Sequence, residues 1–591
     1  MCGIIGFLGK SNGISSVLDG LTKLEYRGYD SAGIAYIQNS KIEVIKSVGQ
    51  VDQLIKKVAR MRIQTDSRIS IGHTRWATHG GVTELNAHPH ISNNQEIAVV
   101  HNGIIENYLE IIEFLKAHKI TMKSETDTEV IPNLIQVYHK GSLKDAVQKA
   151  TKHIKGGYAF VVLSAKDPDT LICAKHGMPL CVGTGKDFTY VTSDIPTAMT
   201  KANEVYVLEN DEIAVVNGAL MFYKSGKPTI KNAIKRTKNR EVVTKGGFTT
   251  YMEKEINDIP RVFERLITFY GTREGNPITP QLLKLLGAAP TIHICASGTS
   301  YHAGLTLASL IEKYCRIRVR SHISSEFRYN DPLLFPGDVG IVISQSGETA
   351  DTIAAMNLMK EHKIPTIAIC NSDNSAIAHE ADFYLPNLAG FEIAVASTKA
   401  YCAQILLGAI LTDKLYSFKM QKGKTKPEPL FTARDFAMLP MHARACIAKG
   451  TEISALARKY KNISRIFFLG KGMDACAARE AALKVKEITY VQCEGYNAGE
   501  IKHGTLSLVD NDTLTGVFQT NSDPNVNAKT ENAAHEVKAR GSKVWNITVP
   551  ASPLAFCYSV IPVQLFALYL SILKGNNPDK PRNLAKAVTV E

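Results

Sequence analysis

The chain has 591 residues, enough for three or four domains of roughly 150 residues, each able to bury its own core. Hydrophobic residues make up 45% and charged residues 21%, which excludes a disordered or fibrous chain, and no apolar run is read as approaching the roughly 18 residues of a membrane span. The net charge of +13 comes without a nucleic-acid motif, and eleven scattered cysteines with no C-x-x-C pair argue for reduced thiols rather than disulfides or zinc.

Cys2 follows Met1 and opens the run Cys2-Gly3-Ile4-Ile5-Gly6. Removal of Met1 would leave a thiol and a free α-amine on one residue, a nucleophile beside its own base. Such an amine titrates near pH ~8, so part of it is unprotonated at neutral pH. No basic segment followed by an apolar core precedes it, so no signal peptide is expected. Up to residue 238, short runs such as Ile97-Ala98-Val99-Val100 and Tyr158-Ala159-Phe160-Val161-Val162-Leu163 alternate with glycine-rich turns. They predict an α+β domain with buried strands. Much of the excess basic charge sits in residues 224–245, with Lys227, Lys231, Lys235, Arg236, Lys238 and Arg240. With few aromatics among them, they read as a solvated linker.

From Thr291 the rhythm changes. Apolar strands such as Thr291-Ile292-His293-Ile294-Cys295 and Val339-Gly340-Ile341-Val342-Ile343 alternate with helical stretches, the pattern of a parallel sheet wrapped by helices. Residues 291–298 are echoed by residues 465–472, and residues 339–346 by residues 514–522. Two copies of one α/β unit are expected, divided around residues 421–430. The first copy carries Ser344-Gln345-Ser346-Gly347-Glu348-Thr349, whose hydroxyl and backbone N–H groups suit a phosphate at a helix N-terminus. An ordinary helix cap would use the same residue types. A second hydroxyl-rich turn, Gly298-Thr299-Ser300, favours phosphate. At the matching place the second copy has Asp523, which repels an anion, and Pro524, which lacks a donor, so one phosphate per chain is expected. Glu480, Lys484 and Glu487, at i, i+4 and i+7, fall on one helix face. A solvated salt-bridged face is the plainer reading, but Ala481, Ala482, Leu483 and Val485 argue for burial.

The N-terminal third resembles the class II glutamine amidotransferases, an N-terminal-nucleophile fold. The resemblance rests on Cys2-Gly3-Ile4-Ile5-Gly6, Arg27-Gly28-Tyr29-Asp30-Ser31-Ala32-Gly33, His73-Thr74-Arg75-Trp76-Ala77-Thr78-His79-Gly80, Asn86-Ala87-His88-Pro89-His90, His101-Asn102-Gly103 and Ser124-Glu125-Thr126-Asp127. The remainder resembles a pair of sugar isomerase (SIS) domains, through Ser325-Glu326-Phe327-Arg328, residues 344–349, Val395-Ala396-Ser397-Thr398-Lys399, Gly499-Glu500-Ile501-Lys502-His503-Gly504 and Asn583-Leu584-Ala585-Lys586. The whole chain is similar to the glutamine–fructose-6-phosphate aminotransferase family. The organisation this implies is an amidotransferase domain over residues 1–238, a linker with helices over 239–280, SIS domains over 281–425 and 455–578, and a tail over 579–591.

The resemblance implies that Cys2 attacks the glutamine amide, with Asn102 and Gly103 holding the oxyanion. Arg75 and Asp127 would clamp the glutamine carboxylate and ammonium, Trp76, Thr78 and His88 would shape the pocket, and Arg27 would order a nearby loop. In the second half it implies Glu487 as the base between sugar carbons, His503 as the ring opener and Lys586 as a Schiff-base lysine. Ser300, Ser344, Gln345, Ser346 and Thr349 would hold the phosphate, with Val395, Ser397 and Lys484 completing the sugar pocket. Burial, or a neighbouring cation such as Lys484, would lower the pKa of Lys586 for that role. No cofactor or metal is implied. The expected partners are glutamine, fructose 6-phosphate and a second subunit joined through the SIS domains, with His503 acting in trans and no nucleic acid or membrane. A cytoplasmic enzyme is implied, with a closed ammonia channel gated at Trp76 and a lid formed by the tail. Ser297 stands where the family usually has cysteine, and the longer insertion of eukaryotic members is absent, so feedback control is not assumed. Two rivals are a glutaminase serving another acceptor, which would need a pyrophosphate or nucleotide loop, and a non-catalytic sugar-phosphate regulator, which would have no use for Cys2 or Lys586.

Overall fold

The computed structural model describes residues 2–10, 13–25, 28–63, 67–77, 79–235, 245–272, 275–373, 375–421 and 427–588. Arg27, Thr78, most of the basic segment after Ile234, part of the expected division at 421–430 and the last three residues of the tail lie outside them. The chain forms two units, Met1–Val242 with Ala587–Val590, and Val243–Lys586.

In the first unit, alternation along each strand decides the layering. Ile4 and Leu8 of the strand Gly3–Gly9 join one core with Ala98, Val100 and Val161, while Ile5 and Phe7 point the other way onto the helix Gly13–Leu24. Ile97 and Val99 of the strand Ile97–Gly103 turn toward the helices Tyr108–Ala117, Val130–Tyr138 and Leu143–Thr151. Two antiparallel sheets, of eight and seven strands, therefore pack face to face with helices on both outer faces. Strands covered on both faces read as continuous apolar runs, which is why residues 97–100 and 158–163 stood out. This is the expected α+β N-terminal-nucleophile architecture.

The second unit holds two parallel sheets. The first has the order Arg318–Ile323, Thr291–Ala296, Val339–Ser344, Thr366–Cys370, Phe383–Pro386. The second repeats it with Gln492–Asn497, Arg465–Gly470, Thr513–Phe518, Lys543–Ile547. In each, the order reverses beside the first strand of the copy, and that switch point opens a crevice at the carboxyl ends of the strands. The expected pair of SIS folds with parallel sheets is present.

Two expectations are corrected. The described part of the basic segment, up to residue 235, is not a solvated linker: Lys227–Thr229 and Ile234–Lys235 are sheet strands, and Lys231 pairs with the buried Glu212 at 2.7 Å. The second concerns apolar runs. The segment Ala555–Leu573 has 19 residues with mean hydropathy 1.8, long and apolar enough to cross a membrane by composition. Ser559, Gln564 and Ser571 hide this in the sequence. In the structure 83% of the apolar stretch is buried inside the protein, most of the helix Ile561–Leu573 with it, as expected of a core helix.

Candidate functional site

Cys2 lies at the start of Gly3–Gly9, between the neighbouring strands Ile69–Arg75 and Phe188–Thr192. Its Sγ accepts from the Trp76 backbone N–H at 3.2 Å. Burial pushes the thiol up from its ordinary pKa. Asn102 Nδ2 donates to the Cys2 carbonyl at 3.1 Å, bringing that amide beside the thiol. Gly103 ends the strand with φ +127°, and a Cβ there would sit 2.0 Å from the Gly157 carbonyl oxygen. No other residue type fits. Gly103→Ala is expected to cost about 1–3 kcal/mol from backbone strain alone, read as a lowered thermal midpoint together with impaired glutamine hydrolysis.

Arg75 is buried, and its guanidinium donates to the carbonyls of His79, Gly80 and Gly81, holding that loop. Asn86 ties the same loop to Glu125 through Nδ2, at 2.8 Å from the Glu125 carboxylate. Asp127 Oδ2 accepts from the Ile105 N–H at 2.7 Å. The two expected glutamine clamps are therefore both engaged with backbone groups. Trp76 packs edge-on against Tyr29 with ring centroids 5.7 Å apart. His88 belongs to a buried group with His73, His90 and His101, and its Nδ1 accepts from the His101 N–H at 3.3 Å. Burial holds His73 at about 3 and His101 at about 4, and His88 and His90 well below their usual value, so all four are neutral at ordinary pH.

In the second unit, Ala296 pairs with Ile343, so the turns that follow the two strands adjoin at the switch point. Ser300 Oγ accepts from Gln404 at 3.0 Å in the first turn of the helix Gly298–Leu310. Ser344 Oγ accepts from the Gly347 N–H at 3.0 Å and lies 3.1 Å from Thr349 Oγ1. Ser346 Oγ accepts from the Glu348 N–H at 3.2 Å, and the Gln345 carbonyl accepts from Asn371. Thr349 precedes the helix Ala350–Glu361 and makes no side-chain cap to it. The turn is thus shaped by its own hydroxyls at a helix N-terminus.

Lys484, on the helix Met473–Thr489, is fully buried and pairs with Glu487 at 2.6 Å and Glu480 at 3.5 Å. It also donates to Thr299 Oγ1 at 3.0 Å. Burial raises the Glu487 carboxyl above its ordinary value, with the Lys484 charge opposing. His302, absent from the sequence reading, lies 2.8 Å from Glu480 through Nδ1. Lys586 does not meet Lys484 first. Its Nζ donates to Glu392 at 2.7 Å and to the Ala394 carbonyl at 2.8 Å. The described ion pair of Lys586 is therefore with an anion, Glu392. Ser397 donates to the same Glu392 carboxylate at 2.8 Å, and the Val395 N–H donates to the Asp579 carbonyl at 3.0 Å. His503 follows the short turn Glu500–Lys502, is exposed, and is brought to none of these groups by a described hydrogen bond. Among the described residues no cluster of three metal-ligating side chains occurs.

Glu255, packed beside this cluster, accepts from the Ile393 and Ala394 N–H groups through Oε1, and its Oε2 is buried without a partner among the described residues. Burial, aided by the Glu392 charge, pushes it up to about 8. A folded pKa above the unfolded value gives stability that is fully present below about pH 4.5 and is lost as pH rises to about 8. Glu255→Gln, which mimics the protonated acid, is expected to flatten that decline. Denaturant melts at pH 5 and pH 8 would show it, and an equal decline in parent and variant would refute it.

The second copy of the repeat explains its own silence. Asp474 aligns with Ser300, and its carboxylate accepts from Thr520 N–H at 2.9 Å and Thr520 Oγ1 at 2.5 Å. An internal carboxylate fills the place corresponding to the phosphate turn of the first copy. Asp523 caps its own helix, accepting from the Asn525 N–H at 2.9 Å, and Pro524 is that helix's first residue.

Comparison with known proteins decides the family. The SIS domain family matches residues 285–412 and 459–572, and the glutamine amidotransferase domain family matches residues 73–200. A glutamine–fructose-6-phosphate aminotransferase (isomerizing) of Clostridium tetani is 39% identical, with both chains covered over 100% of their length. The chain belongs to the glutamine–fructose-6-phosphate aminotransferase family. Members from Fusobacterium nucleatum and Streptococcus pneumoniae are 38% and 37% identical, again over 100% of both chains. The solved C-terminal domain of glucosamine-fructose-6-phosphate aminotransferase from Francisella tularensis is 30% identical and covers 57% of this chain and 100% of its own, with a TM-score of 0.51. This family pairs the two kinds of domain seen here.

Proposed function

We propose that this chain converts L-glutamine and D-fructose 6-phosphate to L-glutamate and D-glucosamine 6-phosphate, the entry to amino-sugar synthesis. The observation that carries the reading is the presence of both half-sites on one chain. A thiol sits beside the Asn102 amide in one unit, and buried Lys484, Glu487 and Lys586 accompany a hydroxyl-lined phosphate turn in the other.

Cys2 Sγ adds to the glutamine amide carbon, and the α-amine exposed by removal of Met1 carries the thiol proton to the departing ammonia. Water then hydrolyses the resulting thioester to release glutamate and restore the thiol. Asn102 Nδ2 and the Gly103 N–H hold the oxyanion, each such donor contributing about 3–4 kcal/mol to lowering the barrier. Arg75 and Asp127 take the glutamine carboxylate and ammonium after exchanging backbone partners for ligand, with Trp76, Thr78 and His88 bounding the pocket. Ser300, Ser344, Gln345, Ser346 and Thr349 hold the sugar phosphate, and Val395, Ser397 and Lys484 bound the sugar. Lys586 forms a Schiff base at C2, ammonia displaces it, and Glu487 moves the proton from C1 to C2. A carboxyl raised above its usual range suits that task near neutral pH. His503 opens the sugar ring in the site of a second subunit, which makes the working form a homodimer joined through the SIS domains. Ammonia passes between the sites without release, and the tail closes over the sugar. The reading places the enzyme in the cytoplasm.

Incubation with glutamine and fructose 6-phosphate, followed by assay for glucosamine 6-phosphate, tests the reading. Glutamate without amino sugar would indicate a different acceptor, and no turnover would indicate a sugar-phosphate regulator.

A further inference from the structure

An asparagine amide has a donor end and an acceptor end of nearly equal size, so its value as an oxyanion donor depends on which end faces the thiol. Asn102 is held at both ends. Nδ2 donates to the Cys2 carbonyl at 3.1 Å, and Oδ1 lies 3.0 Å from His73 Nε2. A carbonyl oxygen only accepts, which fixes the NH2 end toward Cys2. Oδ1 must then accept from His73, so the neutral imidazole carries its single proton on Nε2.

His73 is built to hold that proton in place. Its ring is fully buried and stacks on His88 with centroids 4.0 Å apart and planes 12° from parallel. Its backbone pairs with Ile4 on one side and Gly33 on the other, so two strand ladders fix the point from which the ring projects. Burial keeps it neutral down to about pH 3. His88 is in turn held by the His101 N–H, and His101 Nδ1 lies 2.8 Å from Thr128 Oγ1. The histidine group therefore buttresses one hydrogen bond to one catalytic side chain.

We propose that His73 is a positioning residue of the glutaminase: its Nε2–H locks the Asn102 amide with the NH2 end toward the developing oxyanion. This rests on the reading of Asn102 as an oxyanion donor. Without the lock, only the Cys2 carbonyl would orient the amide, and each half-turn away from it would present Oδ1 to the oxyanion and repel it. His73 touches no substrate in this scheme and acts only through Asn102.

The test uses the full-length chain with Met1 removed. His73→Phe keeps an aromatic ring without a donor, and His73→Gln keeps a donor. In the Phe variant kcat for glutamine hydrolysis should fall 10- to 100-fold with KM changed less than threefold, and the Gln variant should recover at least a third of the lost rate. An aldehyde analogue of glutamine adds the Cys2 thiol across its C=O bond, the π electrons passing to oxygen. Its affinity should fall in parallel with kcat, while that of glutamate, which forms no such adduct, should not. His73→Leu replaces the Phe variant if the latter does not fold.

An unchanged kcat in the donor-less variant would overturn the proposal. So would equal loss of glutamate and aldehyde affinity, which would mark a merely structural role. Asn102→Asp separates the two readings. If it leaves kcat intact, the oxyanion assignment fails. If it lowers kcat and His73→Phe does not, only the positioning role fails.

Discussion

Replacing Cys2 with alanine is expected to lower glutamine-dependent glucosamine 6-phosphate formation by roughly 10³-fold or more. The other ten cysteines are all buried, and none is positioned at the Trp76 N–H that holds the Cys2 sulfur. No substitute nucleophile is therefore at hand. Interconversion of fructose 6-phosphate and glucose 6-phosphate, which needs only the second unit's groups, should persist in the variant. Loss of both activities would mean that Cys2 serves the fold rather than the chemistry. The same argument applies to a chain that keeps Met1, because its Cys2 nitrogen is an amide and cannot act as a base. N-terminal mass measured beside activity would settle this, since full activity from an unprocessed chain would remove the α-amine from the mechanism.

Lys586→Arg should abolish amino-sugar formation to a similar extent, about 10³-fold, while glutamine hydrolysis measured without sugar continues. Arginine keeps the charge opposite Glu392 but cannot lose a proton to become a nucleophile. The Schiff base requires the Lys586 nitrogen to bond C2 while the carbonyl oxygen leaves as water. Glu392, its carboxyl held down at about 2, and the Ala394 carbonyl both accept from that nitrogen. In the proposed reaction Lys586 exchanges these partners for the sugar C2. Borohydride reduction with fructose 6-phosphate present should trap a sugar on Lys586 in the parent chain. A parent that gives no adduct, or an arginine variant with full synthesis, would rule the Schiff base out.

The sequence announces those parts of this protein that depend on neighbours along the chain. Residues 97–100, 158–163, 291–295 and 339–343 were readable as strands because burial on both faces leaves an unbroken apolar run. The Glu480, Lys484, Glu487 face was readable because helical spacing alone brings those residues together. What sequence could not supply is proximity made by folding. Glu392 is an ordinary acid in a loop until the fold brings it to a lysine 194 residues away. His302 and His73 gain their partners from distant strands and helices in the same way. Nor could sequence show that the buried Arg75 guanidinium donates to the carbonyls of the nearby loop, which satisfy its donors. Asp474 is the exception, since alignment of the repeat with Ser300 places a carboxylate where the first copy has a hydroxyl.

That carboxylate divides the labour between the two copies. The hydroxyl-lined turn proposed to hold phosphate lies on the first copy, while Lys484 and Glu487 lie on the second. With Asp474 taken up by Thr520, the second copy has no matching turn to offer. A chain cut between the copies would leave the two sets of groups on separate pieces, and neither piece alone would carry the proposed sugar site.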